Sequence, residues 1–169
     1  MSNWLTPDYM FRTYREITPE FLHSIGVKAL LVDIDNTLAP YEQPDPDEDN
    51  VAWMNAMKEA GIGLAFISNN GKERVERFNR SLGFPAYWKS GKPFRRSLDD
   101  AMIKLKVTAE ETAVLGDQLL TDALAGKHIG LRAIIVPPIK DKTSPFFRFK
   151  RWCERPFIRT FKKKNNITW

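Results

Sequence analysis

Residues 28–37 read KALLVDIDNT, and this stretch decides the fold. Its apolar part is continuous rather than alternating, which is typical of a strand buried on both faces of a parallel sheet. Asp33 and Asp35 follow with one residue between them. Because side chains alternate along a strand, both are expected to face the same space. The stretch therefore predicts two neighbouring carboxylates at the end of a central strand.

Three more apolar runs along the chain read as strands: Gly61–Ser68, Thr112–Asp117 and Leu131–Val136. The stretch Phe84–Lys89 is typical of a short edge strand, and apolar residues at helical spacing fill the gaps between the runs. Strands that alternate with helices predict a three-layer α/β domain with a parallel, Rossmann-like sheet. In such a sheet, functional residues collect at the carboxyl ends of the strands.

The chain divides into three predicted parts. Residues 1–25 form a helical N-terminal lead, since Thr6-Pro7 and Thr18-Pro19 each read as a helix cap followed by proline at the first helical position. Residues 26–140 form the α/β domain, and residues 141–169 form a basic, aromatic C-terminal tail.

Polar residues follow the predicted strands in an order that indicates chemistry. Asp33 and Asp35 end the first run, Ser68 ends the second, and Asp117 ends the third. A single aspartate after a strand is most often a helix cap. Three acids gathered at one sheet edge are costly without a cation, and Mg²⁺ is the ion that pairs carboxylates with water and phosphate. The set therefore predicts a magnesium site.

At this point the sequence resembles a known family. The segments DIDNTL, SNN, KP and GDQLLTD are similar to the four ordered motifs of the haloacid dehalogenase (HAD) superfamily, and with the intervening strands they span about residues 26–137. The match is nearest to the YqeG-type phosphatases of subfamily IIIA, which are related to phosphatidylglycerophosphate phosphatases. The resemblance implies a phosphatase.

The resemblance also implies roles for the acids. Asp33 would be the nucleophile that forms an aspartyl-phosphate, and Asp35 would protonate the leaving oxygen and then activate water. Mg²⁺ would be bound by the Asp33 carboxylate, the Asp35 backbone carbonyl and Asp117. The predicted catalytic residues are thus Asp33 and Asp35.

Further positions are implied for substrate binding. Ser68 and Lys92 would bind the phosphoryl oxygens and offset charge in the transition state. Asp122 would support the site by orienting Lys92 or a metal-bound water. Asn69 and Asn36 would either donate to phosphate or stabilise a turn, because asparagine suits tight turns, and both interpretations stay open.

The spacing of the motifs predicts a capless enzyme. Thirty residues separate Thr37 from Ser68, and 23 separate Ser68 from Lys92, which leaves room for one helix and loops in each gap. The site is expected to be open unless a second subunit or the tail covers it. An open site suits a phosphate presented at a membrane surface, and phosphatidylglycerophosphate is the leading substrate candidate.

The tail needs a separate explanation. Residues 140–164 carry ten Lys or Arg and two acids, a net charge of +8, whereas the rest of the chain carries −3. Aromatic residues interleave with these bases, and Pro156 is expected to divide the segment into two pieces. Three interpretations of residues 144–164 are open. Their amphipathic pattern favours contact with an anionic membrane, and packing on the domain is the second interpretation. Binding to nucleic acid is the least favoured.

Composition bounds the location of the protein. Cys153 is the only cysteine, so no internal disulfide can form and a reducing compartment is favoured. The sequence shows neither a signal-peptide pattern at its start nor a run of about 20 apolar residues. We therefore expect a cytoplasmic protein that can associate peripherally with the membrane.

The predicted function is magnesium-dependent hydrolysis of a phosphomonoester, either a phosphorylated small molecule or a lipid headgroup. One alternative is a phosphatase for a soluble sugar or nucleotide phosphate. The other is a non-catalytic HAD-like module that docks on membrane or RNA. The presence of both motif aspartates and the metal acid argues against the non-catalytic module.

Overall fold

The computed structural model describes residues 4–140 and 144–169. Its strands are β1 (Tyr9–Met10), β2 (Ala29–Val32), β3 (Gly63–Ile67), β4 (Ala86–Tyr87), β5 (Thr112–Gly116) and β6 (Arg132–Ile135). Its α-helices are α1 (Pro19–Ser24), α2 (Glu48–Glu59), α3 (Lys72–Asn79), α4 (Arg96–Leu105), α5 (Leu124–His128) and α6 (Pro145–Lys164). A 3₁₀ helix at Tyr14–Glu16 and a π-helical turn at Leu119–Ala123 complete the described elements.

The six strands form one parallel sheet in the order β1-β6-β5-β2-β3-β4. Strand β2 lies between β3 and β5, with Val32 in register with Phe66 on one side and Leu115 on the other. The strand order reverses at β2, which places the switch point beside the carboxyl end of this strand. The predicted α/β fold with a parallel, Rossmann-like sheet is confirmed.

Two apolar cores lie on opposite faces of the sheet and make the molecule three-layered. Alternate residues of β2 divide between them: Leu30 and Val32 belong to one core and Leu31 to the other. The first core receives α2 and α3 through residues such as Met54 and Phe78. The second receives α4, the π-helical turn and α5. Burial on both faces explains why the strands read as continuous apolar runs.

The N-terminal segment matches its prediction in part. Thr18 caps α1, with its hydroxyl accepting a hydrogen bond from the backbone N–H of Phe21 at 3.2 Å. Thr6-Pro7 starts no helix, so that prediction was wrong. The chain instead extends into β1, where the backbone N–H of Asp8 bonds to the Ala133 carbonyl at 2.8 Å and pairing with β6 follows. Sheet pairing thus overrides the local helix signal.

Most of the described part of the C-terminal tail forms one long helix. Helix α6 runs through Pro156 without a break, so the predicted division at this proline was wrong. Glu154 and Phe161 are buried, while Phe146, Phe149 and Trp152 are more than 60% exposed. No helix in the described parts of the chain is long and apolar enough to cross a membrane.

Candidate active site

Asp33 and Asp35 lie directly after β2 in a tight turn. The backbone N–H of Asp33 still bonds to the Leu115 carbonyl at 2.9 Å, which continues the ladder with β5. Asn36 then has a φ of 65°, a left-handed conformation that asparagine tolerates better than most residues. Its side-chain oxygen accepts a hydrogen bond from the backbone N–H of Lys140 at 3.3 Å. Asn36 therefore has the turn-stabilising role that its sequence allowed.

Lys92 joins two of the predicted site acids. Its Nζ lies 2.8 Å from Asp33 Oδ1 and 2.6 Å from Asp122 Oδ1, and all three side chains are at most 10% exposed. These acids come from different parts of the sequence, so the fold brings the predicted groups together. Burial alone would lower the pKa of Lys92, but Asp122 and Asp33 reverse that effect and raise it. Lys92 is therefore held as a cation.

Ser68 and Asn69 place the loop that carries Lys92. Asn69 Oδ1 accepts hydrogen bonds from Ser90 Oγ at 2.9 Å and from the Lys92 backbone N–H at 2.8 Å, and its Nδ2 donates to the Lys92 carbonyl at 3.1 Å. The Ser68 carbonyl accepts from the Ser90 backbone N–H at 3.0 Å. The Asn69 amide is thus used to hold the loop, and its contact with substrate remains a prediction.

Asp35 is held by two residues that the sequence analysis did not select. Arg74 Nε donates to Asp35 Oδ1 at 3.0 Å, and Asn70 Nδ2 donates to Oδ2 at 3.2 Å. Arg74 also bonds to the Pro44 carbonyl at 3.0 Å and lies over the Phe78 ring. In the sequence, Arg74 is one of several charged residues in the first turns of α3, and nothing marks it as a buried partner.

Asp117 meets the C-terminal helix. Arg151 of α6 donates from Nη1 to the Asp117 backbone carbonyl and from Nη2 to Asp117 Oδ2. Glu154 Oε2 accepts from Arg151 Nη1 at 3.1 Å, and its other oxygen accepts from the Leu120 backbone N–H at 3.0 Å. Arg151 was missed because it lies 34 residues from Asp117, among ten basic residues that nothing in the sequence distinguishes.

Asp33, Asp117 and Asp122 each offer a carboxylate oxygen within 4.8 Å of the others. Burial raises the pKa of Asp33 well above its usual range, and the nearby Asp122 and Asp117 add to the rise, whereas Lys92 opposes it. Burial likewise raises the pKa of Asp117 to about 6, although Arg151 opposes the rise. Without a cation, the folded protein therefore disfavours full ionisation of this cluster.

The cluster fits a divalent cation on two further observations. Asp117 Oδ1 is buried and has no hydrogen-bond partner within residues 4–140 and 144–169, so this oxygen is available as a ligand. The charges that meet here are four carboxylates and two cations: Asp33, Asp117, Asp122 and Glu154 with Lys92 and Arg151. With all four carboxylates ionised, this set carries an excess of two negative charges, which one divalent ion would neutralise. The site is therefore compatible with a divalent metal.

A cavity of about 290 Å³ opens above these residues. Asp33, Ser68 and Lys92 line it together with Phe147 and Lys150 of α6. The segment between Thr37 and Ser68 holds only α2 and β3, and the segment between Ser68 and Lys92 holds only α3 and β4. No cap domain is therefore inserted in either segment. The tail itself thus contributes a wall to the predicted open site.

Comparison with known proteins agrees with this geometry. A family model described as HAD-hydrolase-like matches residues 89–142, which include Lys92, Asp117 and Asp122. "Probable phosphatase YqeG" of Bacillus subtilis (strain 168) is 34% identical over 169 residues, or 100% of this chain and 98% of that protein.

Solved structures share the fold at lower identity. An uncharacterized protein from Listeria monocytogenes serotype 4b gives a TM-score of 0.55 at 17% identity, covering 70% of this chain and 85% of that one. CbbY from Rhodobacter sphaeroides in complex with phosphate gives a TM-score of 0.50 at 19% identity, covering 71% of this chain and 90% of that one. The chain thus has the fold of a HAD-type hydrolase. Within that class, it belongs to the YqeG-type phosphatases, as its motifs predict.

Proposed function

We propose that the protein hydrolyses a phosphomonoester through an aspartyl-phosphate on Asp33. The observation that carries this proposal is the buried Asp33 carboxylate, 2.8 Å from Lys92 Nζ at the cavity where Ser68 also lies. An Asp33 oxygen would bond to phosphorus while the bond between phosphorus and the ester oxygen breaks. Attack by water on phosphorus would then release phosphate and regenerate the carboxylate.

Asp35 would handle the protons of both steps. It lines the same cavity as Asp33, and Arg74 and Asn70 hold its carboxyl group in place. In the first step it would donate a proton to the leaving alcohol oxygen, and in the second it would accept one from the attacking water.

Ser68 and Lys92 would bind the phosphoryl oxygens. The Lys92 ammonium is fixed by Asp33 and Asp122, so it would meet the developing negative charge without reorganising. Mg²⁺, held by the carboxylates of Asp33 and Asp117 and the backbone carbonyl of Asp35, would supply further charge neutralisation at these oxygens.

The substrate that we favour is a phosphorylated headgroup of an anionic lipid, with phosphatidylglycerophosphate as the leading candidate. The outward side of α6 exposes Phe146, Phe149 and Trp152 among its basic residues. Such a face suits the interface of an anionic membrane, where rings enter the headgroup region and cations meet phosphates. Peripheral binding would bring the lipid to the cavity, which has room for a headgroup.

The inner side of α6 supports a substrate with a second anionic group. Lys150 lines the cavity and lies over the rings of Phe146 and Phe147, at 4.9 and 5.7 Å from their centroids. It forms no ion pair with a carboxylate in the described part of the chain. A phosphodiester next to the scissile phosphate would give Lys150 a partner. A soluble sugar or nucleotide phosphate remains the second candidate, because the cavity walls are largely polar.

Enzyme assays on matched variants test the catalytic proposal. Asp33→Asn keeps the shape of the side chain but removes the nucleophile. We expect it to lose at least about a thousandfold in kcat with p-nitrophenyl phosphate and Mg²⁺, or ~4 kcal/mol of barrier. Asp100→Asn, at an exposed position on α4, should keep the wild-type rate. An Asp33→Asn variant within tenfold of wild type would refute the nucleophile.

A separate comparison tests the lipid. Wild-type protein should hydrolyse phosphatidylglycerophosphate in vesicles of phosphatidylcholine and phosphatidylglycerol faster than soluble sugar phosphates. Replacing Phe149 and Trp152 by serine should abolish sedimentation with these vesicles, whereas Ile103→Ser, at an even more exposed apolar position on α4, should not. Preference for a soluble ester would contradict the lipid proposal and leave the phosphatase proposal standing.

A further inference from the structure

Arg151 of the C-terminal helix contacts the acidic cluster directly. Arg151 donates to both the backbone carbonyl and Oδ2 of Asp117. The Asp117 side chain is fully buried, and that of Arg151 is 21% exposed. A planar guanidinium that bonds to two atoms of one residue fixes the rotation of that side chain as well as its position. Arg151 therefore sets the orientation of the Asp117 carboxylate.

The two oxygens of Asp117 are consequently not equivalent. Oδ2 is bound by Arg151, while Oδ1 is buried without a hydrogen-bond partner in the described residues. We infer that Arg151 is a positioning residue that holds Asp117 with one oxygen ready to bind the divalent cation. This inference rests on the metal dependence in the proposed function. Hydrogen-bonded partners of this kind orient ligating carboxylates and strongly affect metal affinity.

The positive charge of Arg151 does not oppose cation binding as strongly as its position suggests. Glu154 lies 3.1 Å from Arg151 Nη1 and is buried, so its carboxylate offsets the guanidinium charge. Glu154 is itself fixed by the Leu120 backbone N–H, at the start of the π-helical turn that carries Asp122. Arg151 can thus orient Asp117 while Glu154 compensates its positive charge.

The contact also couples α6 to the metal. If docking of α6 strengthens cation binding, the bound cation must stabilise the docked helix by the same factor. Helix α6 carries Phe147 and Lys150 into the cavity, so the metal would also secure that wall. The C-terminal helix α6 would then contribute directly to metal binding.

Isothermal titration of the metal-free protein with MgCl₂ tests the inference. Arg151→Gln should weaken Mg²⁺ binding by about 10- to 100-fold. Arg151→Lys, which offers one point charge instead of a fork, should fall between this variant and the wild type. The matched control is Arg155→Gln, at an exposed position on the same helix, which should bind like the wild type. Circular dichroism and thermal unfolding without metal verify that each variant is folded.

Equal or tighter Mg²⁺ binding by Arg151→Gln overturns the inference and leaves the phosphatase proposal intact. Absence of Mg²⁺ binding by the wild type overturns both. If Arg151→Gln does not fold, hydrogen exchange of the wild type decides the matter. Amide exchange in α6 should slow when Mg²⁺ is added, and an unchanged rate in α6 refutes the coupling.

Discussion

At the scale of single residues, the site depends on the close approach of the Asp122 side chain to the backbone of Gly116. Gly116 ends β5 beside Asp122, and a Cβ atom at position 116 would lie 2.2 Å from the Asp122 carboxyl carbon. Real contacts of this kind do not occur, so any side chain there must displace Asp122. Because Asp122 fixes Lys92 at 2.6 Å, the displacement would disturb the predicted phosphate-binding cation as well.

We therefore expect Gly116→Ala to lower kcat/KM by about a hundredfold, ~2.7 kcal/mol of barrier. It should also lower the free energy of unfolding by about 1–3 kcal/mol through overpacking. Steady-state kinetics and urea unfolding measure the two effects. Gly71→Ala is the control, since its φ is −72° and nothing lies within 4 Å of the added carbon. Wild-type kinetics in Gly116→Ala would show that Asp122 is not needed in its observed position.

The raised pKa values of Asp33 and Asp117 predict a pH-dependent response to Mg²⁺. Burial raises both, that of Asp117 to about 6, so the folded protein binds these protons more tightly than the unfolded chain. Ionising them as the pH rises therefore costs stability in the metal-free protein. In the proposed site, Mg²⁺ would bind the ionised form and offset that cost.

The increase in Tm on adding saturating Mg²⁺ should accordingly be larger at about pH 7.5 than at about pH 5, where the carboxyls retain their protons. Differential scanning fluorimetry with and without MgCl₂ at each pH measures this increase. Subtracting the Tm without Mg²⁺ from the Tm with Mg²⁺ at the same pH removes the contribution of titratable groups far from the site. An equal increase at both values would mean that these carboxyls do not bind the ion.

At the scale of elements, α6 is held by contacts on both sides of its proline. Arg151 and Glu154 anchor it before Pro156, and Phe157 and Ile158 pack on the domain after it. These tertiary contacts explain why the helix continues where local propensity predicts a break. The lost backbone hydrogen bond to the Trp152 carbonyl still costs stability, and the Pro156 side chain is exposed.

Pro156→Ala should therefore raise the free energy of unfolding by about 1–3 kcal/mol, because alanine restores the missing N–H and removes the ring. Urea unfolding monitored by circular dichroism measures the gain. Arg155→Ala, its exposed neighbour, should change stability by less than about 0.5 kcal/mol. A less stable Pro156→Ala variant would indicate that the proline is required for docking of α6.

The inner side of the same helix gives a prediction on specificity. Lys150→Gln removes the cation without shortening the side chain much. Its kcat/KM for a substrate with a phosphodiester beside the phosphomonoester should fall about tenfold further than for p-nitrophenyl phosphate, ~1.4 kcal/mol of selectivity. Lys163→Gln, on an exposed part of α6, serves as the control. An equal loss on both substrates would deny Lys150 a role in choosing between them.

At the scale of the whole molecule, the features that could be predicted from the sequence are those that local residue patterns determine. Asp33, Ser68 and Asp117 each end an apolar run, and parallel strands necessarily bring such ends to one edge. Arg74 and Arg151 could not be predicted, because their roles depend on which distant carboxylate each meets. Thr6-Pro7 failed for a related reason: pairing of β1 with β6 is a long-range interaction that a local capping pattern does not reveal.

The central claim is that Asp33 forms a covalent bond to phosphorus, and chemical trapping tests it most directly. Full-length protein turning over substrate with Mg²⁺ is quenched with sodium borohydride, which reduces an aspartyl-phosphate to homoserine, and is then digested with trypsin. Mass spectrometry should locate homoserine at position 33, in the peptide of residues 29–58, only when substrate and Mg²⁺ are both present. Modification at another residue, or none during sustained turnover, would contradict the account.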